Sequence, residues 1–198
     1  MTYDCIKIPS LNFSSREGCP IKALVVHCIG LPLIDVITGL TQSIQNGGLG
    51  VSSHYFIPQI SGRNFATEIG THYNLMYPDK IPVIQFVHEK DKAWHAGQSW
   101  WQELNTLPGC ENTLNPCSIG IEFHAPGYDD TTIPHTFAPY TQDQMATGAA
   151  LINDIINRHQ IPLHNIVGHS DIAPIRPDGT FKTDPGPLFP WDWLRKQL

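Results

Sequence analysis

The stretch Val167-Gly-His-Ser-Asp-Ile-Ala-Pro174, followed by Lys182-Thr-Asp-Pro-Gly-Pro187, is the most informative part of the chain. It places His169, Lys182 and Asp184 in segments that are rich in proline and glycine. Because proline interrupts helices and the ladder of a central strand, we expect irregular backbone here rather than a helix. A loop that holds several ionisable side chains between rigid turns suits metal binding or proton transfer.

Length and composition restrict the class of protein. The chain has 198 residues, of which 41% are hydrophobic and 15% charged, so we expect one globular domain over residues 1–198. The net charge of −6 and the lack of a basic run disfavour a nucleic-acid partner. No apolar run approaches roughly 18 residues, which argues against a transmembrane segment. We expect a monomer.

The N-terminus and the cysteines bear on the cellular compartment. The first nine residues lack a basic region followed by an apolar block, so they do not form a signal peptide and predict a cytoplasmic protein. The periplasm or cell envelope is the alternative if a leader has been removed. The five cysteines are odd in number and lack C-x-x-C spacing, which argues against a zinc ribbon or a disulfide scaffold. Cys110 and Cys117 could bridge a loop, although reduced thiols fit at least as well.

The segment Ile21–Cys28 is the first clear strand, and it is apolar on both faces, as is typical of a central strand in a covered sheet. Alternation places Ala23, Val25 and His27 on one face. His27 lies at the C-terminal end of this strand, where open α/β sheets commonly carry their sites. Taken alone, His27 is more often a buried histidine that is hydrogen-bonded to backbone.

The remaining elements predict an α/β fold with a mostly parallel or mixed central sheet flanked by helices. Residues 1–20 are expected to be an extended lead-in. His54 and Tyr55 are interpreted as structural residues near the site. Thr141 begins a capping box, and the longest helix is expected over residues 141–159, with an apolar stripe on one side. The other predictions are a helix around 35–45, strands at 51–57 and 82–87, a hairpin turn at 59–63 through Gly62, and a short helix from Trp191.

The segment Ser118–His124 alternates strictly, which predicts a strand with Gly120, Glu122 and His124 on one face. A carboxylate in the middle of a strand is unusual, because a buried carboxylate is costly without a partner. A nearby metal site would supply such a partner. The alternative is an edge strand with Glu122 in solvent.

The segment Ala93-Trp-His-Ala-Gly97, with Trp100 and Trp101 after it, has two interpretations. It is either a loop anchored in the core by tryptophan, or a wall of a substrate cleft in which Trp94 and His95 face the ligand. Flat aromatic rings suit the apolar faces of sugars. We favour the second interpretation for His95 and leave both open for Trp100 and Trp101.

These blocks, in this order over residues 22–191, resemble the zinc-dependent N-acetylmuramoyl-L-alanine amidases of the type-2 amidase family. Such enzymes cut the amide between a cell-wall sugar and its peptide. The resemblance implies one zinc ion held by His27, His169 and Asp184, with Glu122 as general base and Lys182 as the residue that stabilises the oxyanion. It also implies a peptidoglycan or muropeptide substrate, with or without the 1,6-anhydro sugar. Arg176 would meet a peptide carboxylate or pair with Asp171 or Asp178.

Two features keep alternatives open. Residues 177–181 look like a turn insertion between Arg176 and Lys182, which bears on where Lys182 lies. A calcium-binding loop is a rival interpretation of residues 171–184, but the ligand spacing of an EF-hand is absent.

Two other functions are considered. One is a peptidoglycan-recognition protein of the same fold, which binds without cutting, and the other is a zinc peptidase or deacetylase. Non-catalytic relatives are expected to lose a metal ligand, and here every candidate position is filled.

Overall fold

The computed structural model describes residues 3–198, which form an α/β fold around a mixed sheet. The strands are β1 (Cys5–Lys7), β2 (Phe13–Ser15), β3 (Ala23–Ile29), β4 (Tyr55–Ile57), β5 (Val83–Gln85), β6 (Asp91–Ala93), β7 (Ser118–His124) and β8 (Ile166–Gly168). The helices are α1 (Leu33–Thr41), α2 (Gly62–Glu68), α3 (Gln142–His159), α4 (His169–Ile172) and α5 (Trp191–Arg195).

The main sheet has six strands in the order β1-β5-β4-β7-β3-β8. The neighbours β4, β7, β3 and β8 run parallel, whereas β5 is antiparallel to β4 and parallel to β1. Strands β2 and β6 form a separate antiparallel pair. The predicted mostly parallel or mixed sheet is therefore confirmed.

Strands β3 and β7 form the centre of this sheet. Ala23 to Cys28 are buried, and β7 has the predicted bounds Ser118–His124. In the parallel register His27 lies opposite Glu122. Since β7 pairs with β3 on one side and β4 on the other, it is not an edge strand, and the solvent-exposed alternative for Glu122 is wrong.

Helix α3 covers one face of the sheet and, at 18 residues, is the longest described helix, as predicted. The predicted stripe faces the core. Thr141 caps the helix by accepting a hydrogen bond from the backbone N–H of Gln144. The Gln144 side chain does not complete a capping box; it is buried and donates to the carbonyls of Ile57 and His124, so it ties the helix to β4 and β7. The stripe consists of Met145, Ala149, Ile152 and Ile156.

The opposite face carries two apolar clusters. One packs α1 and α2 against β4 and β5, with Phe56 and Phe65 fully buried. The other packs the segment between β6 and β7, together with α4, against β3 and β8. His27 and Glu122 project from the same face as these clusters, which leaves a cleft for polar chemistry at the C-terminal ends of the parallel strands.

Several predicted bounds are wrong in detail. The extended lead-in predicted over residues 1–20 includes the short strands β1 and β2, which the sequence did not indicate. Strands β4 and β5 are shorter than predicted. Before β4, the backbone N–H groups of Ser52 and His54 donate to the carbonyls of Trp94 and Gly120, and the Ser52 hydroxyl donates to the carbonyl of Asn12. The predicted hairpin turn through Gly62 is the start of α2, because the Ser61 hydroxyl accepts from the Asn64 backbone N–H as a helix cap.

The segment Val167–Pro174, for which irregular backbone was predicted, is also partly regular. Strand β8 runs directly into α4, which begins at His169. The Asp171 carboxylate accepts from the backbone N–H of Gly168 at 2.7 Å and stabilises the start of this short helix. Gly168 and Pro174 lie outside the helix, so they limit its length rather than prevent it.

All five cysteines are free. The Sγ of Cys110 lies 3.8 Å from the Sγ of Cys19 in a largely buried cluster that also includes Cys117. None of the described helices has the length and apolar character that a membrane crossing requires.

The contact between α3 and β7 generates a stability prediction. A methyl group on Gly148 would lie 2.5 Å from the ring of Phe123, which is fully buried and cannot move away. We expect Gly148→Ala to destabilise the fold by about 1–3 kcal/mol through overpacking, despite the better helix propensity of alanine. Thermal unfolding measures this loss.

The control is Gly39→Ala in α1. A methyl group there meets only Cδ1 and Cγ of the Leu49 side chain, which is 51% exposed and has room to change rotamer. We expect Gly39→Ala to be neutral or stabilising by up to about 1 kcal/mol. Equal effects of the two substitutions would contradict the packing of α3 against β7.

Candidate metal centre and active site

Three side chains from distant parts of the chain converge at the cleft. His27 projects from β3, His169 is the first residue of α4, and Asp184 follows an exposed loop. The Nδ1 atoms of the two histidines lie 3.1 Å apart, and each lies 3.1 Å from Oδ2 of Asp184. All three residues are buried. The structure therefore brings together the three residues predicted as metal ligands.

Asp184 is placed by contacts on both of its sides. Its carbonyl accepts from the backbone N–H of Ser170 at 2.9 Å. The next residue, Pro185, packs closely on Gly168: a Cβ added to Gly168 would lie 2.8 Å from the proline ring. The carbonyl of Pro185 accepts a hydrogen bond from the Tyr140 hydroxyl. Residues 177–181 form a separate exposed turn, in which the Arg176 backbone N–H donates to the carbonyl of Thr180. The insertion therefore does not displace Asp184.

This donor set fits a metal ion. A tetrahedral ion with ligands at about 2.0–2.1 Å separates them by about 3.3 Å, close to the observed 3.1 Å. Oδ1 of Asp184 is buried and has no hydrogen-bond partner among the described residues. Two imidazole nitrogens and a carboxylate oxygen lie close together in the protein interior, where a cation between them would offset the cost of their burial.

The protonation states also suit metal binding. Burial lowers the pKa of His27 to about 4, so its imidazole is neutral at neutral pH. Burial by itself would raise the pKa of Asp184, but the contacts with His169 and His27 outweigh it and hold this pKa well below its usual range. A neutral imidazole and an ionised carboxylate are the forms that bind metals.

Glu122 lies beside these residues on the adjacent strand. Its Oε2 is buried and has no hydrogen-bond partner among residues 3–198. Burial raises the pKa of Glu122 to about 8, the negative charge of Asp184 adds to the increase, and the positive charge of Lys182 opposes it. A carboxyl group with this environment is suited to accept and return protons near neutral pH.

The site opens into a cavity of about 730 Å³ whose lining includes His27, Glu122 and Asp184. Lys182 is on its wall, with Nζ 3.4 Å from Oδ2 of Asp130. The loop that carries Asp130 also contributes Tyr128, Asp129 and Thr131, which the sequence analysis did not single out.

The other predicted substrate contacts are distributed unevenly. Trp94 lines the cavity and is 37% exposed, and its Nε1 donates to the Ser14 hydroxyl. Arg176 lines it too, and its guanidinium donates to the Thr180 hydroxyl. Trp100 is 63% exposed and is not part of the cavity lining. Contact of these side chains with substrate stays a prediction.

His95 also reaches the cavity, but both of its ring nitrogens have partners inside the protein. Nδ1 lies 3.0 Å from Nε2 of His27, and Nε2 lies 3.1 Å from the hydroxyl of Ser118. His54 is fully buried behind it and accepts the Gly120 backbone N–H at Nδ1, in agreement with its interpretation as a structural residue.

Arg16 is an important residue that sequence analysis missed. It is 5% exposed and donates to the backbone carbonyls of Glu89, Asn115, Pro116 and Ser118. It thereby ties β2 to the segment that leads into β7. A single arginine between Ser15 and Glu17 resembles a surface turn, and no local pattern distinguishes it from one.

Known proteins with a similar sequence are amidases, in agreement with the site described above. The family model described as N-acetylmuramoyl-L-alanine amidase matches residues 17–187. AmpD of Enterobacter cloacae, a 1,6-anhydro-N-acetylmuramyl-L-alanine amidase, is 35% identical over 98% of this chain and 90% of its own length. The N-acetylmuramoyl-L-alanine amidase AmiD of Escherichia coli is 36% identical over 89% of this chain, which spans about half (53%) of that relative.

A solved structure shares the fold. The complex of E. coli AmiD with anhydro-N-acetylmuramic acid-L-Ala-D-gamma-Glu-L-Lys superposes with a TM-score of 0.66 and 33% identity, over 94% of this chain and 65% of that one. The family match covers most of the chain and includes every predicted metal ligand. The chain belongs to the type-2 family of N-acetylmuramoyl-L-alanine amidases.

Proposed function

We propose that this protein is a zinc-dependent amidase that hydrolyses the bond between N-acetylmuramic acid, or its 1,6-anhydro form, and L-alanine during cell-wall turnover or recycling. The observation that carries the proposal is the buried triangle of His27, His169 and Asp184, with Glu122 next to it in the register of β3 and β7. The family assignment supports the same reaction.

The substrate class rests on the relatives. AmpD is named for the 1,6-anhydro sugar, and the AmiD structure holds an anhydro-muramoyl peptide. The cavity of about 730 Å³ is large enough for a sugar joined to the first residues of a peptide. Cleavage of muropeptides, of intact peptidoglycan, or of both is consistent with these features.

His27, His169 and Asp184 would hold the zinc ion, since two neutral imidazoles and a carboxylate leave one position of a tetrahedral site open. A bound zinc ion supplies positive charge that acidifies water and polarises a carbonyl group. The protein's task is to keep the three ligand atoms together and to exclude competing partners. The burial of all three residues serves both requirements.

Glu122 is suited to move the proton. Its Oε2 faces the site without a partner, so it can accept a proton from the attacking water. The raised pKa of about 8 then lets the same carboxyl group return the proton to the departing nitrogen of L-alanine. One residue therefore acts as base and then as acid.

Lys182 supplies a fixed positive charge on the cavity wall, where it would stabilise the oxyanion of the tetrahedral intermediate. Asp130 holds the ammonium group at 3.4 Å. Arg176 and Trp94 on the same cavity are proposed to contact the peptide and the sugar. The single-domain organisation, the monomeric state and the cytoplasmic location remain predictions.

A direct test compares two substrates. Purified sacculi and anhydro-muropeptide are digested side by side, and the products are identified by mass spectrometry. We expect release of a peptide that begins with L-alanine and of an intact sugar acid. Binding of the muropeptide without any product would instead favour a recognition protein of the same fold, and cleavage elsewhere in the peptide would favour a peptidase.

Three substitutions separate metal binding from proton transfer. We expect Glu122→Gln to keep zinc and fold while activity falls by about 10²–10⁴-fold, because only the base is lost. Lys182→Ala should keep zinc and lose about 10²–10³-fold. Asp184→Ala should lose zinc and activity together. Zinc content, melting temperature and amide cleavage are measured on all three; near wild-type turnover of Glu122→Gln would refute the assigned role of Glu122.

The raised pKa of Glu122 predicts a pH-dependent effect on the metal-free protein. Between the ordinary value of 4.5 and about 8, the unfolded chain releases this proton while the folded protein retains it, so stability falls as pH rises. Glu122→Gln removes this loss. Its gain in stability over the wild type should grow from about zero at pH 4 to about 1–3 kcal/mol at pH 8, after allowance for partial solvent access.

Thermal unfolding in the presence of chelator, across that pH range, checks the prediction. The matched control is Glu103→Gln, at an exposed position far from the ligands in sequence. It should show no growing difference from the wild type. A pH-independent difference for Glu122→Gln would contradict the buried and unpartnered state of this carboxyl group.

A further inference from the structure

A chain of hydrogen bonds runs from a metal ligand into the protein. Nε2 of His27 lies 3.0 Å from Nδ1 of His95, and Nε2 of His95 lies 3.1 Å from the Ser118 hydroxyl. The Ser118 hydroxyl in turn lies 2.6 Å from the backbone carbonyl oxygen of Leu114. Each of the three side chains is buried, so the chain is shielded from water.

The carbonyl at its end determines the direction of every bond. A carbonyl oxygen can only accept, so the single hydroxyl hydrogen of Ser118 is donated to Leu114. The Ser118 oxygen must then accept from Nε2–H of His95. A neutral His95 with its hydrogen on Nε2 presents a bare Nδ1, which accepts from Nε2–H of His27.

This direction leaves Nδ1 of His27 without a hydrogen. Its lone pair faces Oδ2 of Asp184 at 3.1 Å and lies 3.1 Å from Nδ1 of His169. Two lone pairs that face each other at this distance repel unless a cation lies between them. The tautomer that the carbonyl of Leu114 imposes is therefore the one that binds a metal.

His95 is also held rigidly. The backbone N–H groups of His95 and Ala96 both donate to the side-chain oxygen of Asn115, at 3.0 and 2.8 Å. Gly120 lies so close that a Cβ there would be 2.5 Å from the imidazole ring. The ring has no room to tilt toward β7, and so its Nδ1 stays directed at His27.

We propose that His95 and Ser118 are positioning residues of the metal centre, which hold His27 in the tautomer and ring orientation that leave Nδ1 free for the metal. This inference rests on the proposed zinc site, and it assigns His95 to the support of a ligand rather than to the substrate wall. Strand β7 then serves the site twice, because Ser118 and Glu122 lie on the same face of one strand.

The test uses the full chain and measures zinc affinity by competition with a chromophoric chelator. His95→Phe keeps an aromatic ring but leaves the Nε2–H of His27 without an acceptor; we expect zinc affinity to fall by about 10–100-fold. Ser118→Ala removes only the hydroxyl and should lower the affinity by a smaller factor. His95→Gln retains an acceptor and should recover part of the affinity lost in His95→Phe.

The control is His124→Phe. His124 is equally buried and lies on β7, but its Nε2 is 3.0 Å from the carbonyl oxygen of Leu31 and has no part in the chain to His27. We expect His124→Phe to lower the melting temperature of the metal-free protein as much as His95→Phe does, with zinc affinity unchanged. A purely structural role for His95 would make the two variants alike in both measurements.

Nitrogen chemical shifts of ¹⁵N-labelled histidine in the metal-free protein give a second readout. Wild-type His27 should carry its hydrogen on Nε2, whereas His95→Phe, or Ser118→Ala if the former does not fold, should show a mixture of tautomers. Wild-type affinity for zinc in both variants, with the His27 tautomer unchanged, would overturn the inference. A wild-type protein that binds no zinc would instead refute the proposed metal site, and the role of His95 with it.

Discussion

The parallel pairing of β3 with β7 is the constraint on which the site depends. Its register pairs His27 with Glu122, so that the proposed metal ligand and the proposed general base lie side by side on two adjacent inner strands. Both strands are largely buried, so the backbone of neither residue can shift without moving the sheet. A site on two central strands is more rigid than one built from loops alone, which matters because catalysis tolerates displacements of only fractions of an ångström.

Placing polar groups here is costly, and the surrounding structure offsets the cost in specific ways. Arg16 satisfies four carbonyl groups behind the site, and Gln144 satisfies two more beneath it. Groups that face the cleft are left unpaired, among them Oε2 of Glu122 and Oδ1 of Asp184. Of the four buried side-chain atoms that have no partner among the described residues, these two therefore lie where a cation and a substrate would bind; the other two are Nδ1 of His135 and Oε1 of Gln144.

The loops that complete the site differ in how firmly they are held. Asp184 is tied to α4 and to Tyr140, whereas residues 177–181 form an exposed turn of their own. The backbone hydrogen bonds of this turn run from Arg176 to Thr180 and from Gly179 to Arg176, so they are internal to it and separate from the contacts that hold Asp184. Lys182 lies between the firmly held Asp184 and this exposed turn, and Asp130 is its partner in the cavity lining.

Sequence by itself determined the elements whose signals are local: the alternation of β7, the apolar stripe of α3 and its Thr141 cap, and the motifs that carry His27, Glu122, His169 and Asp184. Tertiary structure decided which groups meet. His27 and His169 are 142 residues apart, His27 and His95 are 68 apart, and no periodicity encodes those contacts. The burial of Arg16 and the direction of the bonds from Leu114 to His27 depend on partners from distant segments. A hydrogen bond between such segments exists only once the sheet register has placed them side by side.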